Sequence, residues 1–140
     1  MSSFVLYQQD LANQKLQIMI AHRTAVLVVE DEALVRMGIV DELEDAGFEV
    51  FEAANSSIAI EILIANSRIE VMFTDIDMPG GVDGLKLAAS VRDRWPPITI
   101  IVTSGHRAVG VDSLPVRARF MPKPYNPDAV VRSIKEMMLQ

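Results

Sequence analysis

From Thr24 to the C-terminus, short apolar blocks alternate with longer segments in which apolar residues recur every three or four positions. The short blocks predict strands at Ala25–Glu30, Phe48–Ala53, Glu70–Asp75, Thr99–Thr103 and Arg117–Met121. Between them, Ala33–Ala46 sets Leu34, Met37, Ile39, Val40 and Leu43 at helical spacing and stops at Gly47, a residue suited to the left-handed turn that closes a helix. Asn55 is placed to cap a second helix rich in isoleucine: Ile58, Ile60, Ile62 and Ile64. A third opens at Asp83-Gly84, turns Leu85, Leu87, Ala88 and Val91 inward, and ends at Trp95-Pro96-Pro97. Asn126-Pro127 starts the last, with Val130, Val131, Ile134, Met137 and Met138 on its core face.

Repeated βα units with short connections and right-handed crossovers predict a doubly wound, five-stranded parallel sheet with helices on both faces. The order of its strands is not written in one sequence. Between Ser104 and Arg117 the chain is too short for a loop, a helix and a second loop, and it carries Gly110 and Pro115. The fourth helix is therefore expected to be shortened or missing. Residues 1–23 form an N-terminal extension, helical or flexible, ahead of a domain over 24–140. Leu11, Lys15, Leu16, Ile18, Met19 and Ile20 give it only a weak one-sided pattern. Its first reading is a frayed extension or a misassigned start, with Met19, just upstream of the first strand, as the true beginning; its second is a dimer or partner contact. Gln8-Gln9-Asp10 and the lack of a positive leading segment argue against a secretory signal.

At 140 residues, half of them hydrophobic, the chain has material for one core, and no apolar run approaches the ~18 residues of a membrane span. A net charge of −6 argues against direct nucleic-acid binding. Cysteine is absent, which removes disulfides and thiolate chemistry and fits a cytoplasmic protein.

Chemistry collects at the predicted strand ends. Glu30-Asp31 follows the first strand, Asp75 ends the third ahead of Ile76-Asp77-Met78-Pro79, Ser104 follows the fourth, and Lys123 follows the fifth within Pro122-Lys123-Pro124. Parallel strands bring these ends to one edge of the sheet, where open α/β folds bind ligands. An edge with several carboxylates, a hydroxyl and an ammonium suits a divalent cation and a phosphoryl group.

Val28-Val29-Glu30-Asp31-Glu32, Thr74-Asp75-Ile76-Asp77-Met78-Pro79, Thr103-Ser104-Gly105 and Met121-Pro122-Lys123-Pro124-Tyr125, in this order, resemble the receiver domain of two-component response regulators. The likeness covers nearly all of residues 24–140. It implies a flavodoxin-like (βα)5 fold in a stand-alone, signalling rather than enzymatic, protein. It also implies phosphoryl transfer from a sensor histidine kinase or histidine phosphotransfer protein to Asp75, then action on a separate protein target or relay of the phosphate. Asp75 is the expected nucleophile. Asp31 and Asp75 are expected to ligate Mg2+, or Mn2+ in its place, with Glu30 holding a metal-bound water and the Asp77 backbone carbonyl completing the protein ligands. Lys123 is a point charge for a phosphoryl oxygen and a partner for Asp75 before reaction. Ser104 is a hydrogen-bond donor and switch, with Thr103 as rival, and Phe120 stands where the family has an aromatic that turns inward. Asp77 and His106 lie at rim positions expected to tune phosphoryl lifetime. Asp75-Ile76-Asp77 is also similar to the paired aspartates of haloacid dehalogenase-type phosphatases. There the pair follows the first core strand and a threonine comes two residues later, where this chain has Pro79.

Overall fold

Five strands, β1 (Ala25–Val29), β2 (Glu49–Ala53), β3 (Ile69–Asp75), β4 (Thr99–Ser104) and β5 (Ala118–Pro122), form one parallel sheet in the order β2-β1-β3-β4-β5. The structure is a computed structural model that describes residues 2–21, 23–78, 84–105, 114–115 and 117–139, with the side chains of 18–21 outside the description. Each strand lies within one residue of its predicted bounds. The chain moves outward from β1 to β2, then crosses back past β1 to β3. That reversal beside β1 and β3 is the switch point at which doubly wound sheets open a crevice.

All five residues of β1 are buried, as are Val71, Met72 and Phe73 in β3 and Ile100, Ile101 and Val102 in β4. Continuous Val/Ile/Leu runs belong to central parallel strands covered on both faces. Two cores result, one on each face. Ala59 and Leu63 of α3 (Ser56–Ala65) and Leu87, Ala88 and Val91 of α4 (Gly84–Arg94) pack with Leu27, Met72 and Ile100. On the other face, Ile39, Val40 and Leu43 of α2 (Ala33–Asp45) and Val130 and Ile134 of α5 (Pro127–Met138) pack with Val28, Phe73 and Ile101. A helix of nineteen residues, α1 (Ser3–Ala21), precedes β1.

The capping residues act where the sequence puts them. Asn55 Oδ1 accepts from the Ile58 amide at 2.9 Å, Asn126 Oδ1 from the Asp128 amide at 2.9 Å, and Gly47 takes a φ of +97° after α2. One apolar pattern divides differently. Leu34 and Met37, which the periodicity groups with Ile39, Val40 and Leu43, are 84% and 56% exposed. Their side chains lie on the opposite side of α2 from the sheet, because a helix facing a sheet buries one stripe and this sequence carries apolar residues on more than one. The expected shortening of a fourth helix falls mostly on residues outside those described.

Candidate functional site

The sheet register delivers the predicted residues to one edge. Asp75 pairs with Thr103 across β3 and β4, and Ser104 pairs with Pro122 across β4 and β5. Past the strand ends the ladder continues: the amide of Glu30 donates to Ala53, that of Ile76 to Thr103, and that of Lys123 to Ser104, at 3.0, 2.9 and 3.0 Å. Glu30 and Lys123 are thus each fixed by a backbone bond to the neighbouring strand, as is Ile76 immediately after Asp75.

Glu30, Asp31 and Asp75 each bring a carboxylate oxygen within 4.8 Å of the other two. Lys123 Nζ donates to Glu30 Oε1 at 3.0 Å and to Asp75 Oδ2 at 3.1 Å. Asp75 Oδ1 accepts the Asp77 amide at 3.0 Å, and Glu30 Oε2 accepts the Glu32 amide at 3.2 Å. Glu30 therefore does not serve as a simple helix cap: one oxygen faces the turn into α2 and the other faces the lysine. The Ser104 hydroxyl donates to Asp77 Oδ2, while Thr103 Oγ1 is buried without a hydrogen-bond partner among the described residues. Both are buried, and Ser104 is the one whose hydroxyl meets a carboxylate of the Asp75 turn. Phe120 is half-buried against the core beneath α4 and β4. His106 lies outside the described residues.

Electrostatics follow from this packing. Burial raises the Glu30 carboxyl above its ordinary range; the Lys123 hydrogen bond opposes that, and the neighbouring Asp75 charge adds to it. Burial also works against the Lys123 ammonium, but its hydrogen bonds to Glu30 and Asp75 outweigh burial and hold its pKa above the ordinary value. Lys123 stays charged, so its ammonium faces the carboxylate cluster of Glu30, Asp31 and Asp75. Three hard oxygen donors within reach of a single point suit Mg2+, which binds through a few carboxylates and keeps several waters. The residues present fit that ion.

Three contributors were not evident from sequence. Arg36 Nη1 donates to the Glu30 carbonyl at 2.7 Å while its Nε pairs with Glu52 at 3.0 Å, pinning the turn after β1. Its place on the first turns of α2, after the acidic pair, was the available signal. Gly84 lies so close to the Asp75 carbonyl that it leaves no room for a side chain. Tyr125 stacks edge-on against Phe73, with ring centroids 5.3 Å apart, and borders a groove of about 670 Å³ with Leu34, Gly105 and Lys123.

Burial first, then the Glu30 charge, pushes the Tyr125 phenol up to about 12. An unfolded tyrosine ionises near pH ~10, so above that the unfolded state releases its proton first. Stability held by the neutral ring is complete below ~10 and lost as pH rises toward about 12. Urea midpoints are expected to fall between about pH 9 and about pH 11, and to fall less for Tyr125→Phe. Equal slopes for the two proteins would remove Tyr125 as a source of the decline.

Residues 26–135 match the family model described as the response regulator receiver domain. The chain belongs to the receiver family of response regulators. It is 36% identical over 117 residues to the sensor kinase CckA of Brucella abortus, covering 81% of this chain and 12% of that protein. The match to the receiver protein CpdR of the same organism is 30% over 117 residues, covering 81% of this chain and 96% of CpdR. Among solved structures, a receiver protein from Sinorhizobium medicae superposes with a TM-score of 0.77 at 26% identity, covering 84% of this chain and 95% of that one. The chain thus spans about an eighth of CckA and about a quarter of the NtrX-like regulators of Rickettsia, but nearly all of CpdR. Receiver domains are signalling modules that bind Mg2+ at an acidic pocket and work with histidine kinases and downstream targets. No helix among the described residues is long and apolar enough to cross a membrane.

Proposed function

We propose that this receiver domain, spanning residues 24–140 behind an extension at 1–23, accepts a phosphoryl group on Asp75 from a histidine kinase or histidine phosphotransfer protein. It then alters its contact with a separate protein target or relays the phosphate. The observation that carries this reading is the convergence of Glu30, Asp31 and Asp75 within 4.8 Å, with Lys123 bridging two of them. An Asp75 carboxylate oxygen attacks phosphorus, an O–P bond forms, and the bond from phosphorus to the donor nitrogen breaks, giving an acyl phosphate. Such transfer relies on positioning and on cations facing the equatorial oxygens. Asp31, Asp75 and the Asp77 carbonyl would hold Mg2+, with Glu30 toward one of its waters, and the ion would supply charge neutralisation there.

Lys123 releases Asp75 and turns its ammonium to a phosphoryl oxygen, which its flexible stem allows. The Ser104 hydroxyl leaves Asp77 for another. That exchange ends the Ser104–Asp77 contact; Asp77 and His106 are the pair that tunes access of water and hence phosphoryl lifetime, and Phe120 follows Ser104 inward.

The test is labelling by acetyl phosphate. A single label at Asp75 is expected with Mg2+, lost in Asp75→Asn and in chelator; a label elsewhere, or sustained turnover of a phosphomonoester, would replace this reading by another. The metal has its own signature. Two carboxylates within 4.8 Å of each other repel by about 3 kcal/mol or more at an effective dielectric near ~20, so Mg2+ should raise the melting temperature over chelator.

A further inference from the structure

The helix α1 has nothing of its own domain to lie against over most of its length. Among side chains 3–17, only Leu11 is even half-buried; Phe4 is 69% and Tyr7 60% exposed. The helix has a defined start, because Ser2 Oγ accepts the Val5 amide at 3.3 Å. Nineteen residues make a rod of about 28 Å, a length at which an isolated helix in water is marginal. Such a helix gains its stability by covering an apolar stripe.

Apolar residues lie all round α1, and one stripe combines seam spacing with opposite charges on its flanks. Phe4, Tyr7, Leu11, Gln14, Ile18 and Ala21 recur at alternating steps of three and four, the two seam positions of a heptad. Counting from Phe4 as the first seam position, Asp10 falls on the last position before the next heptad, and Lys15 on the flanking position after the following seam residue. They are the only charged residues in α1, and they stand five apart. In two parallel helices in register, those positions face each other across the seam, so Asp10 of one chain meets Lys15 of the other, twice by symmetry. An antiparallel pair instead sets like flanking positions together, aspartate near aspartate and lysine near lysine. Gln14 is the single amide on the seam, and it costs least when it faces its own copy.

We infer that α1 is a parallel, in-register coiled-coil contact whose partner is a second copy of this chain. Charge complementarity and heptad spacing choose that partner. Val5, Leu6 and Leu16 lie off the seam and stay outside the pair. Three residues separate α1 from β1, so the coil carries both receiver domains at the same end.

The chain has no cysteine, so one introduced thiol reports on geometry without background. Under mild oxidation of the full chain, Gln14→Cys is expected to cross-link into a covalent dimer, and Leu16→Cys to remain largely monomeric. Sedimentation equilibrium should show a dimer for the unaltered chain, weakened about tenfold by Asp10→Lys and restored by Asp10→Lys with Lys15→Asp. Acetyl phosphate labelling of each variant confirms a folded receiver domain. A monomer at all concentrations, equal cross-linking at positions 14 and 16, or no rescue by the double reversal would overturn the coil and leave the phosphoryl-acceptor reading untouched.

Discussion

Gly84→Ala is expected to lower the melting temperature by about 10 °C, whereas Gly38→Ala should raise it. A methyl group on Gly84 would sit 2.1 Å from the Asp75 carbonyl oxygen, 2.6 Å from Ile76 Cα and 2.8 Å from the Asp75 carbonyl carbon. All three atoms are backbone, so no rotamer change relieves the overlap. Either α4 shifts at its first turn, losing the Gly84 amide bond to the Ile76 carbonyl at 3.2 Å, or the Asp75 turn moves. Overpacking usually costs about 1–3 kcal/mol, and a clash with backbone lies at the upper end or beyond. Gly38 lies within α2, and a methyl there meets nothing within 4 Å. Alanine at that position gains up to about 1 kcal/mol from reduced chain entropy and helix propensity. Thermal unfolding of both variants in chelator checks the contrast, and shifts of the same sign would mean that close approach at Gly84 does not govern its neighbourhood. Where the Asp75 turn is the part that yields, labelling of Gly84→Ala should also slow even though the protein remains folded.

That glycine shows where reading the sequence stops short. Asp83-Gly84 was legible as a helix start, since local chemistry marks helix ends, but the backbone of Asp75 pressed against it belongs to tertiary structure. Strand ends were legible to within a residue because apolar runs give way abruptly to Glu30, Ser104 and the Pro122-Lys123 frame. Once the strands are parallel, their ends share an edge, so the meeting of Glu30, Asp31, Asp75 and Lys123 follows from sequence with one assumption about topology. Strand order does not, because it depends on which face each crossover takes. Leu34 and Met37 do not group with Ile39, Val40 and Leu43 because the apolar residues of α2 fall on more than one stripe, and spacing does not say which stripe faces the sheet. The Ser104 contact with Asp77, and the second carboxylate on Lys123, depend on rotamers chosen among several acceptors at one edge. Composition and spacing carry no information on that choice.

Replacing Lys123 by methionine should remove about 3 kcal/mol of stability near neutral pH, and the loss should shrink in acid. Lys123 is 22% exposed at its side chain, but Glu30 and Asp75 are 2% and 4% exposed, so the two acids depend on it. Methionine keeps the apolar bulk of the stem and deletes only the charge, leaving two carboxylates that neither water nor a cation serves. The cost is limited by protonation. Burial already raises the Glu30 pKa and the Lys123 hydrogen bond counters it, so without the lysine Glu30 binds a proton more tightly. An unfolded glutamate titrates near pH ~4.3; below that, both states are protonated and the penalty vanishes. As pH rises through the elevated folded pKa, the unfolded state ionises first and stability is lost. In chelator, the gap between Lys123→Met and the unaltered protein should therefore be small near pH ~4.5 and widen toward pH ~8, the opposite of a simple packing defect. Millimolar Mg2+ should then narrow it, because a divalent ion supplies the missing charge to Asp31 and Asp75, although labelling stays slow for want of a cation on the phosphoryl oxygen. A gap independent of pH and of Mg2+ would show that the ammonium does not neutralise this cluster.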